Sequence, residues 1–312
     1  MIKIAVVGTG IIGLSHLKAI QETGACTLCA VCDVNEEKAK ECAELYHVPY
    51  FTDYRQIPEQ TDADAVIVNL PHFLHCECSV FFLEKGLHVL VEKPMANTVE
   101  ECDRMIAAAQ KSGKKLLVGH VQRYNYANQV IKDAIADQRY GKLCMIAGKR
   151  SINYFLETRP KWFLNKKAAG GGIGMNFGAH ALDTLYYIVE EEASEICSGY
   201  GNLKNQEEIE GHLQFFLKFP SGLTMCETLD GYMNCGHEMV YYFTEAVVKV
   251  DNASGLYLFE SGQWKKIELP EEQKPLERQL IDFCNALNGE KTMICTAEEG
   301  RKVISALEKI YG

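Results

Sequence analysis

Short apolar runs alternate with amphipathic segments through the first 120 residues of the chain. The apolar runs are bounded by glycine, proline or polar residues, and the segments between them carry apolar residues at helical spacing. Asn35 and Thr98 precede two of these segments as helix caps. The pattern predicts repeated βα units, and therefore a Rossmann-type, doubly wound parallel sheet. The predicted strands are 2–7, 26–32, 65–70, 88–91 and 116–119, with a weaker strand at 48–51.

The pattern changes after residue 121. A helix is predicted around 128–138, another segment near 178–189, and two final helices at 276–287 and 297–311. Between them lie longer strand-like runs joined by turn signals. This predicts a C-terminal α+β domain with an open, mainly antiparallel sheet, and divides the chain into domains 1–121 and 122–312. The predicted strands of the second domain are 143–154, 212–219, 223–229, 239–250 and 256–259.

Composition and charge narrow the function classes. The 312 residues carry a formal net charge of −10, which disfavours nucleic acid and anionic lipid as partners. No apolar run reaches the roughly 18 residues of a membrane span, and the N-terminus resembles a first strand rather than a signal peptide. We therefore expect a cytoplasmic protein that uses neither nucleic acid nor membrane. Its thirteen cysteines are expected to be reduced thiols.

Cysteine and histidine spacings do not predict a metal site. Cys26 and Cys32 fall on one face of a predicted strand and Cys29 on the other, so the three cannot converge on one ion. His72 and His75 are expected either to line a cofactor crevice or to pack in the core. No metal is predicted.

The clearest motif is a glycine-rich turn between the first strand and the first helix. It fits G-x-G-x-x-G and is followed, at the end of the second strand, by Asp33. Such glycines permit a tight turn, close approach of a pyrophosphate to the helix N-terminus, and close helix–strand packing. Asp33 is expected to accept hydrogen bonds from the adenosine ribose, which favours NAD over NADP. The predicted turn consists of Gly8, Thr9, Gly10, Ile11, Ile12 and Gly13.

Two further motifs carry a family resemblance. The tripeptide Glu92-Lys93-Pro94 ends a predicted strand, and a glycine-rich segment at 170–183 contains Asn176, His180 and Asp183. Together with the glycine turn, they make nearly the whole chain resemble the Gfo/Idh/MocA family of oxidoreductases. The resemblance implies that further residues contribute to the cofactor site, namely Asn69, Leu70, Pro71, His72, His75, Glu92 and Lys93.

The resemblance also implies a catalytic pair. Lys93 ends a strand of the parallel sheet, where the nicotinamide lies, and lysine is the family's usual catalytic residue there. His180 has a side chain suited to moving the hydroxyl proton. Asn176, His180 and Asp183 are predicted on one helical face. Many members of the family carry aspartate where this chain has Asn176, and an amide orients a hydroxyl but cannot act as a base.

A basic segment precedes the second glycine motif. Residues 149–167 contain six cations and a single acid, Glu157, in a protein of negative net charge. This segment is either a solvated loop or a positive field beside the active site that favours an anionic substrate. In the second interpretation, Arg123 joins the field and Trp162 stacks on a sugar. The six cations are Lys149, Arg150, Arg159, Lys161, Lys166 and Lys167.

The sequence therefore predicts an NAD-dependent dehydrogenase or reductase that acts on a sugar, sugar derivative or polyol. A redox-neutral, NAD-dependent glycoside-processing enzyme and a non-catalytic NAD-binding sensor are the alternatives. The resemblance also implies a homodimer or homotetramer formed through the exposed face of the C-terminal sheet. The predicted substrate-binding residues are Arg123, Tyr124, Arg150, Trp162, Asn176, His180 and Asp183.

Overall fold

The computed structural model describes residues 1–203, 208–252, 254–269 and 274–312. The chain divides into two compact units. The first contains Met1–Val121 and Gln273–Arg301, and the second contains Gln122–Glu272 and Lys302–Gly312. The sequence analysis assigned everything after residue 121 to the second domain, so the structure differs from it over the segment that returns to the first unit.

A seven-stranded sheet forms the centre of the first unit. Its order is β15-β6-β5-β4-β1-β2-β3, and all neighbours pair in parallel except β15, which is antiparallel to β6. The apolar runs β1, β4 and β5 are buried on both faces, as central strands of a parallel sheet require. The strands are β1 (Lys3–Val7), β2 (Thr27–Cys32), β3 (Tyr50–Phe51), β4 (Ala65–Val68), β5 (His88–Glu92), β6 (Leu116–Gly119) and β15 (Cys295–Thr296).

Helices connect and cover this sheet, as the Rossmann prediction requires. The helices that contribute to this unit are α1 (Ile11–Thr23), α2 (Glu36–Tyr46), α3 (Ile57–Gln60), α4 (His75–Glu84), α5 (Val99–Ser112), α9 (Pro275–Leu287) and the first residues of α10 (Ala297–Tyr311). Asn35 and Thr98 cap α2 and α5 by accepting backbone N–H groups three residues on, and Gly24 and Gly113 end α1 and α5 in the left-handed region.

The late segment joins the first unit because α9 packs against α1. Leu280, Phe283 and Cys284 of α9 are buried in one apolar cluster with Leu17 of α1 and Ile4 of β1. An amphipathic helix reveals from its sequence that it has a buried face, but not which sheet covers that face. The packing partner of α9 was therefore not visible in the local pattern.

An eight-stranded sheet forms the second unit, in the order β14-β13-β12-β11-β7-β10-β9-β8. Its neighbours are antiparallel apart from the parallel pair β7 and β10, so the predicted mainly antiparallel sheet is confirmed. The strands are β7 (Leu143–Ser151), β8 (Glu195–Gly201), β9 (His212–Lys218), β10 (Thr224–Asp230), β11 (Gly236–Phe243), β12 (Val247–Asp251), β13 (Gly255–Glu260) and β14 (Gln263–Ile267).

Each central strand of this sheet has a buried face and an open face. Along β10, Met225, Glu227 and Leu229 are buried, whereas Cys226 is exposed. The helices of the unit are α6 (Tyr126–Ala136), α7 (Lys166–Ala169), α8 (Ala179–Val189) and the last residues of α10. Helices α6 and α8 pack together, and Gly174–Gly178 forms one π-helical turn that leads into α8.

No helix in the described part of the chain is both long enough and apolar enough to cross a membrane. All thirteen cysteines are free thiols, and eight of them are buried.

Candidate active site

The glycine turn is built around close backbone approaches. Gly8 adopts a φ of +90°, and a Cβ added there would lie 2.4 Å from the Asn69 carbonyl oxygen. A Cβ on Gly13 would lie 2.0 Å from the carbonyl oxygen of Gly8. Both positions therefore exclude any side chain. Gly10 is different, because an added Cβ would contact nothing within 4 Å. The space above Gly10 is open.

The start of α1 fits an anionic group. Gly10 is its N-cap and provides no side-chain hydrogen bond, and the first turn holds no acidic residue. The N–H groups and positive dipole end of this helix are therefore available to a pyrophosphate. Ile11 and Ile12 are exposed beside them. The cradle fits the dinucleotide that the sequence predicted.

Asp33 is fixed in position by backbone and side-chain donors. The Thr9 backbone N–H and hydroxyl both donate to its Oδ2 at 2.9 Å, and the Asn35 N–H donates to Oδ1 at 2.9 Å. The carboxylate thus lies beside the glycine turn, where a ribose hydroxyl can donate to its remaining lone pairs. The predicted pairing of this turn with an acid at the end of β2 is present in the structure.

His75 contacts two loops at the carboxyl edge of the sheet, the loop after β4 and the loop after β5. Its Nδ1 lies 2.9 Å from the Pro94 carbonyl oxygen and its Nε2 lies 2.8 Å from that of Leu70. Burial lowers the pKa of His75, although both carbonyl contacts favour the protonated ring. Since His75 is fully buried and His72 nearly so, the packing interpretation of these two residues suits the structure better than direct cofactor contact.

The loop after β4 also contributes a polar group. The Asn69 side chain is buried, and in the structure neither of its polar atoms has a hydrogen-bond partner. Buried amides are normally satisfied by protein, water or ligand. Asn69 therefore presents an amide at the edge of the sheet next to the glycine turn, while Leu70 and Pro71 are partly exposed after it.

Glu92 joins the first helix to the strand end that carries Lys93. Its Oε1 lies 2.8 Å from His16 Nε2, and its Oε2 accepts the Lys93 backbone N–H at 3.2 Å. Glu92 and His16 are both buried. Gly119, paired with Glu92 across β5 and β6, leaves room for this carboxylate, because a Cβ there would lie 2.9 Å from Oε1.

The carboxylate of Glu92 stays ionised despite its burial. Burial by itself raises the pKa of Glu92, but the hydrogen bond and charge of His16, with the charge of Lys93, outweigh it and lower the pKa below its ordinary value. Lys93 is partly exposed, and its peptide bond to Pro94 is cis. The strand end thus presents a lysine ammonium held next to a buried negative charge.

In the second unit, Glu210 anchors the glycine-rich segment. Its carboxylate accepts the Gly172 N–H at 2.8 Å, the Gly174 N–H at 2.7 Å and the Tyr311 hydroxyl at 2.7 Å. A Cβ on Gly172 would lie 2.2 Å from the Glu210 carbonyl oxygen. The glycines therefore let this backbone lie directly against Glu210, which fixes where the following π turn begins.

The π turn changes the predicted helical face. Asn176 lies within it and His180 lies in the first turn of α8, so the two do not follow regular α-helical spacing. Such turns are common at functional sites. Asn176 is buried, His180 is partly exposed, and the Phe177 ring lies 6.3 Å from the His180 ring and 6.1 Å from the ring of His237.

Arg123 and Asp183 form a buried pair. The Arg123 Nε lies 3.1 Å from both Asp183 oxygens, and its terminal nitrogen lies 2.7 Å from Oδ1. The guanidinium also lies 5.1 Å from the ring centroid of Tyr187. Tyr124 is 2 % exposed. Arg123 and Asp183 therefore connect α8 to the segment that precedes α6, and Tyr124 of this segment is buried.

Arg150 is also buried, on the inner face of the second sheet. Its Nε lies 3.5 Å from Glu227 Oε1. Burial raises the pKa of Glu227 to about 7, although the charge of Arg150 opposes the shift. The carboxylate lies over Gly148, where a Cβ would be 1.7 Å from Oε2. Burial, followed by the charge of Arg150, lowers the pKa of the neighbouring His237.

Two pairs of predicted residues are in contact: Thr9 with Asp33 in the first unit and Arg123 with Asp183 in the second. Trp162, also predicted, stacks on its neighbour Phe163, with 3.7 Å between the ring centroids. Lys93 belongs to the first unit, and Asn176 and His180 belong to the second.

Three polar anchors of these sites were not predicted: His16, Glu210 and Glu227. His16 had a signal, because it is a polar residue on the apolar face of α1, between Gly13 and Leu17. A buried polar residue on such a face needs a partner. Glu210 and Glu227 had no comparable signal, since their partners are distant in sequence.

Comparison with known proteins agrees with this architecture. Residues 2–120 match a family described as an oxidoreductase family with an NAD-binding Rossmann fold, and residues 128–248 match the GFO/IDH/MocA C-terminal domain. Among solved structures, the aldose-aldose oxidoreductase from Caulobacter crescentus, complexed with glycerol, superposes with a TM-score of 0.91. It is 26 % identical, and the match covers 99 % of this chain and 96 % of that one.

Two further proteins are similar. The WlbA dehydrogenase from Chromobacterium violaceum, solved with NADH and UDP-GlcNAcA, has a TM-score of 0.86 and 25 % identity over 99 % of this chain and 92 % of its own. The 1-carboxy-3-chloro-3,4-dihydroxycyclohexa-1,5-diene dehydrogenase of Comamonas testosteroni is 31 % identical over 60 % of this chain and 47 % of its own length. The chain thus spans about half the length of this curated relative. Both domains match one family, and the chain belongs to the Gfo/Idh/MocA family of NAD-binding oxidoreductases.

Proposed function

We propose that the protein is an NAD-dependent dehydrogenase or reductase that acts on a CH–OH group of a sugar, sugar derivative or polyol. The observation that carries this proposal is the Glu92 carboxylate, held by His16 and by the Lys93 N–H at the carboxyl edge of an NAD-binding sheet. Ligands of such sheets bind outside this edge. Lys93 is therefore carried by the part of the fold that receives the nicotinamide.

NAD, when bound, supplies a hydride acceptor or donor. Gly8, Gly10 and Gly13 shape the turn that receives its pyrophosphate, and Asp33 receives the adenosine ribose. A carboxylate there repels a 2′-phosphate, which favours NAD over NADP. Asn69 presents its buried amide next to the turn.

Lys93 and His180 are the proposed acid and base. Oxidation of an alcohol requires a group that removes the hydroxyl proton, and reduction requires one that returns it. Lys93 is partly exposed next to a buried negative charge, so its ammonium can donate to a substrate oxygen. The partly exposed imidazole of His180 can hold or release the proton. Asn176 cannot take a proton and is proposed to orient a hydroxyl.

The structure changes the proposed substrate contacts. Arg123, Tyr124 and Asp183 are buried, and Arg123 is bound to Asp183, so we now propose that they support α8. Arg150 is partly neutralised by Glu227. Trp162, partly exposed, remains proposed as a surface on which a sugar ring stacks.

The relatives support the class of substrate. One is an aldose-aldose oxidoreductase, one was solved with a UDP-sugar acid, and one is named for a dihydroxylated, carboxylated ring. All three compounds contain hydroxyl groups on a ring or aldose. We propose substrates of this type for this chain.

We further propose a homodimer or homotetramer formed through the outer face of the eight-stranded sheet. Outward positions of this face expose large apolar side chains, including Met145, Phe216 and Phe259. Apolar groups of this kind on one face suggest an interface. The thirteen free thiols support a reducing, cytoplasmic location. We also propose that the boundary between the NAD-binding domain and the substrate-binding domain lies at residue 121.

The test is a substrate screen that follows NADH absorbance. Aldoses, sugar acids, sugar phosphates, nucleotide sugars and polyols are offered with NAD⁺, and the corresponding ketoses and keto sugars with NADH. We expect a substrate-dependent change in NADH with the wild-type protein. Product formation with no net change in NADH would instead indicate a redox-neutral enzyme, and NADH binding with no product from any compound would contradict catalysis.

A further inference from the structure

The structure distinguishes among the six cations of residues 149–167. Arg150 is buried and pairs with Glu227. The four lysines of the segment are exposed, so solvent and salt screen their charges. Arg159 fits neither description, because it is partly buried and forms no ion pair with any acid in the described part of the chain. The exposed lysines are Lys149, Lys161, Lys166 and Lys167.

Aromatic rings, rather than a carboxylate, hold the Arg159 guanidinium. Its Cζ lies 4.1 Å from the Tyr154 ring centroid and 5.0 Å from that of Phe163. Its Nε is buried and has no hydrogen-bond partner. Within the ranges that the structure describes, no carboxylate forms an ion pair with Arg159. A guanidinium carries five N–H donors, and ring faces satisfy its charge only in part.

This arrangement is unusual for a partly buried cation. Burial lowers the pKa of Arg159, and the charge of Tyr154 opposes this shift. An arginine with an acidic partner shows the reverse direction, as Arg139 does beside Asp137. Cations taken out of water are normally paired, because desolvation is costly. In a protein of net charge −10, acids are plentiful, yet none in the described chain pairs with Arg159.

Arg159 lies close to the residues proposed for catalysis in the second unit. The side chain of Asn176 lies close to the Tyr154 hydroxyl, and burial raises the pKa of Tyr154 to about 12. The Phe177 ring lies 6.5 Å from the Tyr154 ring and 6.3 Å from that of His180. One aromatic ring therefore separates the guanidinium from Asn176, the residue proposed to orient the substrate hydroxyl.

We propose that Arg159 is the receptor for an anionic oxygen group, a carboxylate or a phosphate, carried by the substrate. The inference rests on the proposed function and specifies its substrate class. A guanidinium presents two parallel donors that match either group, and stacked rings hold its plane in place. Such a group would pair with a charge that has no acidic partner among the described residues, whereas a neutral sugar would not.

The test is equilibrium binding to protein saturated with NAD⁺, so that the anion-binding start of α1 is already filled. D-Glucose 6-phosphate, D-glucuronate and D-glucose are titrated calorimetrically at constant ionic strength into wild type, Arg159→Gln and Arg159→Lys. Lys161→Gln is the matched control, because it removes the same charge from an exposed neighbour. Melting curves and NAD⁺ affinity verify that each variant is folded.

We expect wild type to bind at least one anionic probe about 10- to 100-fold more tightly than glucose, the range for a charge-assisted hydrogen bond. Arg159→Gln should abolish this preference. Arg159→Lys should retain part of this preference, because the ammonium keeps the positive charge but lacks the two parallel N–H donors of the guanidinium. Lys161→Gln should change it less than about twofold, as for exposed charges. Preference for the 6-phosphate or for glucuronate identifies the group as phosphate or carboxylate.

Two results would overturn the proposal. One is a wild-type protein that binds no anionic probe more tightly than glucose. The other is a folded Arg159→Gln protein that keeps the wild-type preference. These failures are distinct from failure of the proposed function, because binding is measured without turnover. If the protein prefers anionic probes but no substrate changes NADH absorbance, the proposed anion site is supported and the proposed dehydrogenase activity is contradicted.

Discussion

The His16 imidazole lies 2.8 Å from the Glu92 carboxylate, and both side chains are buried. His16 belongs to the helix whose start forms the anion cradle, and Glu92 immediately precedes Lys93. This buried contact between an imidazole and a carboxylate thus joins the helix proposed to receive the pyrophosphate to the strand end that carries the proposed acid.

Replacing His16 with Asn should destabilise the protein by about 1–3 kcal/mol at neutral pH, the usual cost of leaving a buried acceptor without its hydrogen-bond partner. In wild type, the lowered pKa of Glu92 contributes stability that is present above its unfolded pKa and lost as pH falls through its folded pKa. Without His16, burial dominates, so the stability of the variant should fall as pH rises.

Denaturant unfolding of wild type and His16→Asn between pH 4 and pH 8 measures this difference, which should widen with pH. The double variant His16→Asn/Glu92→Gln has no carboxylate at position 92. The part of the pH-dependent stability difference that comes from ionisation of Glu92 should therefore be absent in it. A constant difference across the range would show that Glu92 ionisation is not what His16 supports.

Gly10 and Gly13 should respond differently to alanine. A Cβ on Gly13 would lie 2.0 Å from the Gly8 carbonyl oxygen, so Gly13→Ala should unfold or strongly destabilise the first unit. Gly10→Ala meets no atom within 4 Å and should cost no more than about 1 kcal/mol. Its methyl group would occupy the space for pyrophosphate, so NADH affinity should fall by about tenfold or more. Melting curves and NADH fluorescence titrations distinguish these outcomes. Unchanged NADH affinity in Gly10→Ala would show that the cofactor does not bind at this turn.

Glu210→Gln should impair catalysis without affecting the cofactor. The amide cannot accept all three hydrogen bonds that now fix the start of the π turn, so we expect a loss of about 1–3 kcal/mol in stability. Turnover should fall because Asn176 shifts, whereas NADH affinity should stay at the wild-type value. Glu208→Gln, at an exposed position two residues away, is the control and should resemble wild type in all three measurements. Equal turnover in the two variants would show that Glu210 does not position Asn176.

Glu227 should make the second unit less stable at higher pH. Its pKa is about 7 in the folded protein against an ordinary value of 4.5, so it destabilises the fold progressively as pH rises through this interval. The shift corresponds to an upper bound of about 3 kcal/mol. Glu227→Gln mimics the protonated form and should flatten the decline between pH 5 and pH 8. Unfolding curves that decline equally in both proteins would indicate an ordinary pKa for Glu227.

The sequence allowed prediction of several features that depend on local pattern, although the strand predicted at 239–250 is two strands, β11 and β12. The strands of the parallel sheet, the caps at Asn35 and Thr98, and the glycine turn with Asp33 all follow from spacing within a few residues. The final helix is another example, since Thr296 and Glu299 bond reciprocally as its capping box. These features are fixed by neighbours along the chain.

Features that depend on distant contacts were not predictable. The π turn that displaces Asn176 from helical spacing is set by Glu210, which follows it by more than thirty residues. The pairing of Arg123 with Asp183, which were both predicted to bind substrate, spans 60 residues. Charge counting placed Arg150 and Arg159 in one basic segment, but only the structure shows that Glu227 lies next to Arg150.

We propose that Lys93 moves the proton in an NAD-dependent oxidation or reduction. The most direct measurement compares NADH-linked turnover of a substrate found in the screen between wild type, Lys93→Met and the exposed control Lys111→Met, with NADH affinity measured in parallel. We expect Lys93→Met to bind NADH within about threefold of wild type and to lose about 10²- to 10⁴-fold in turnover, the usual contribution of general acid–base catalysis. Lys111→Met should match wild type. Wild-type turnover in a Lys93→Met protein that binds NADH normally would contradict the claim.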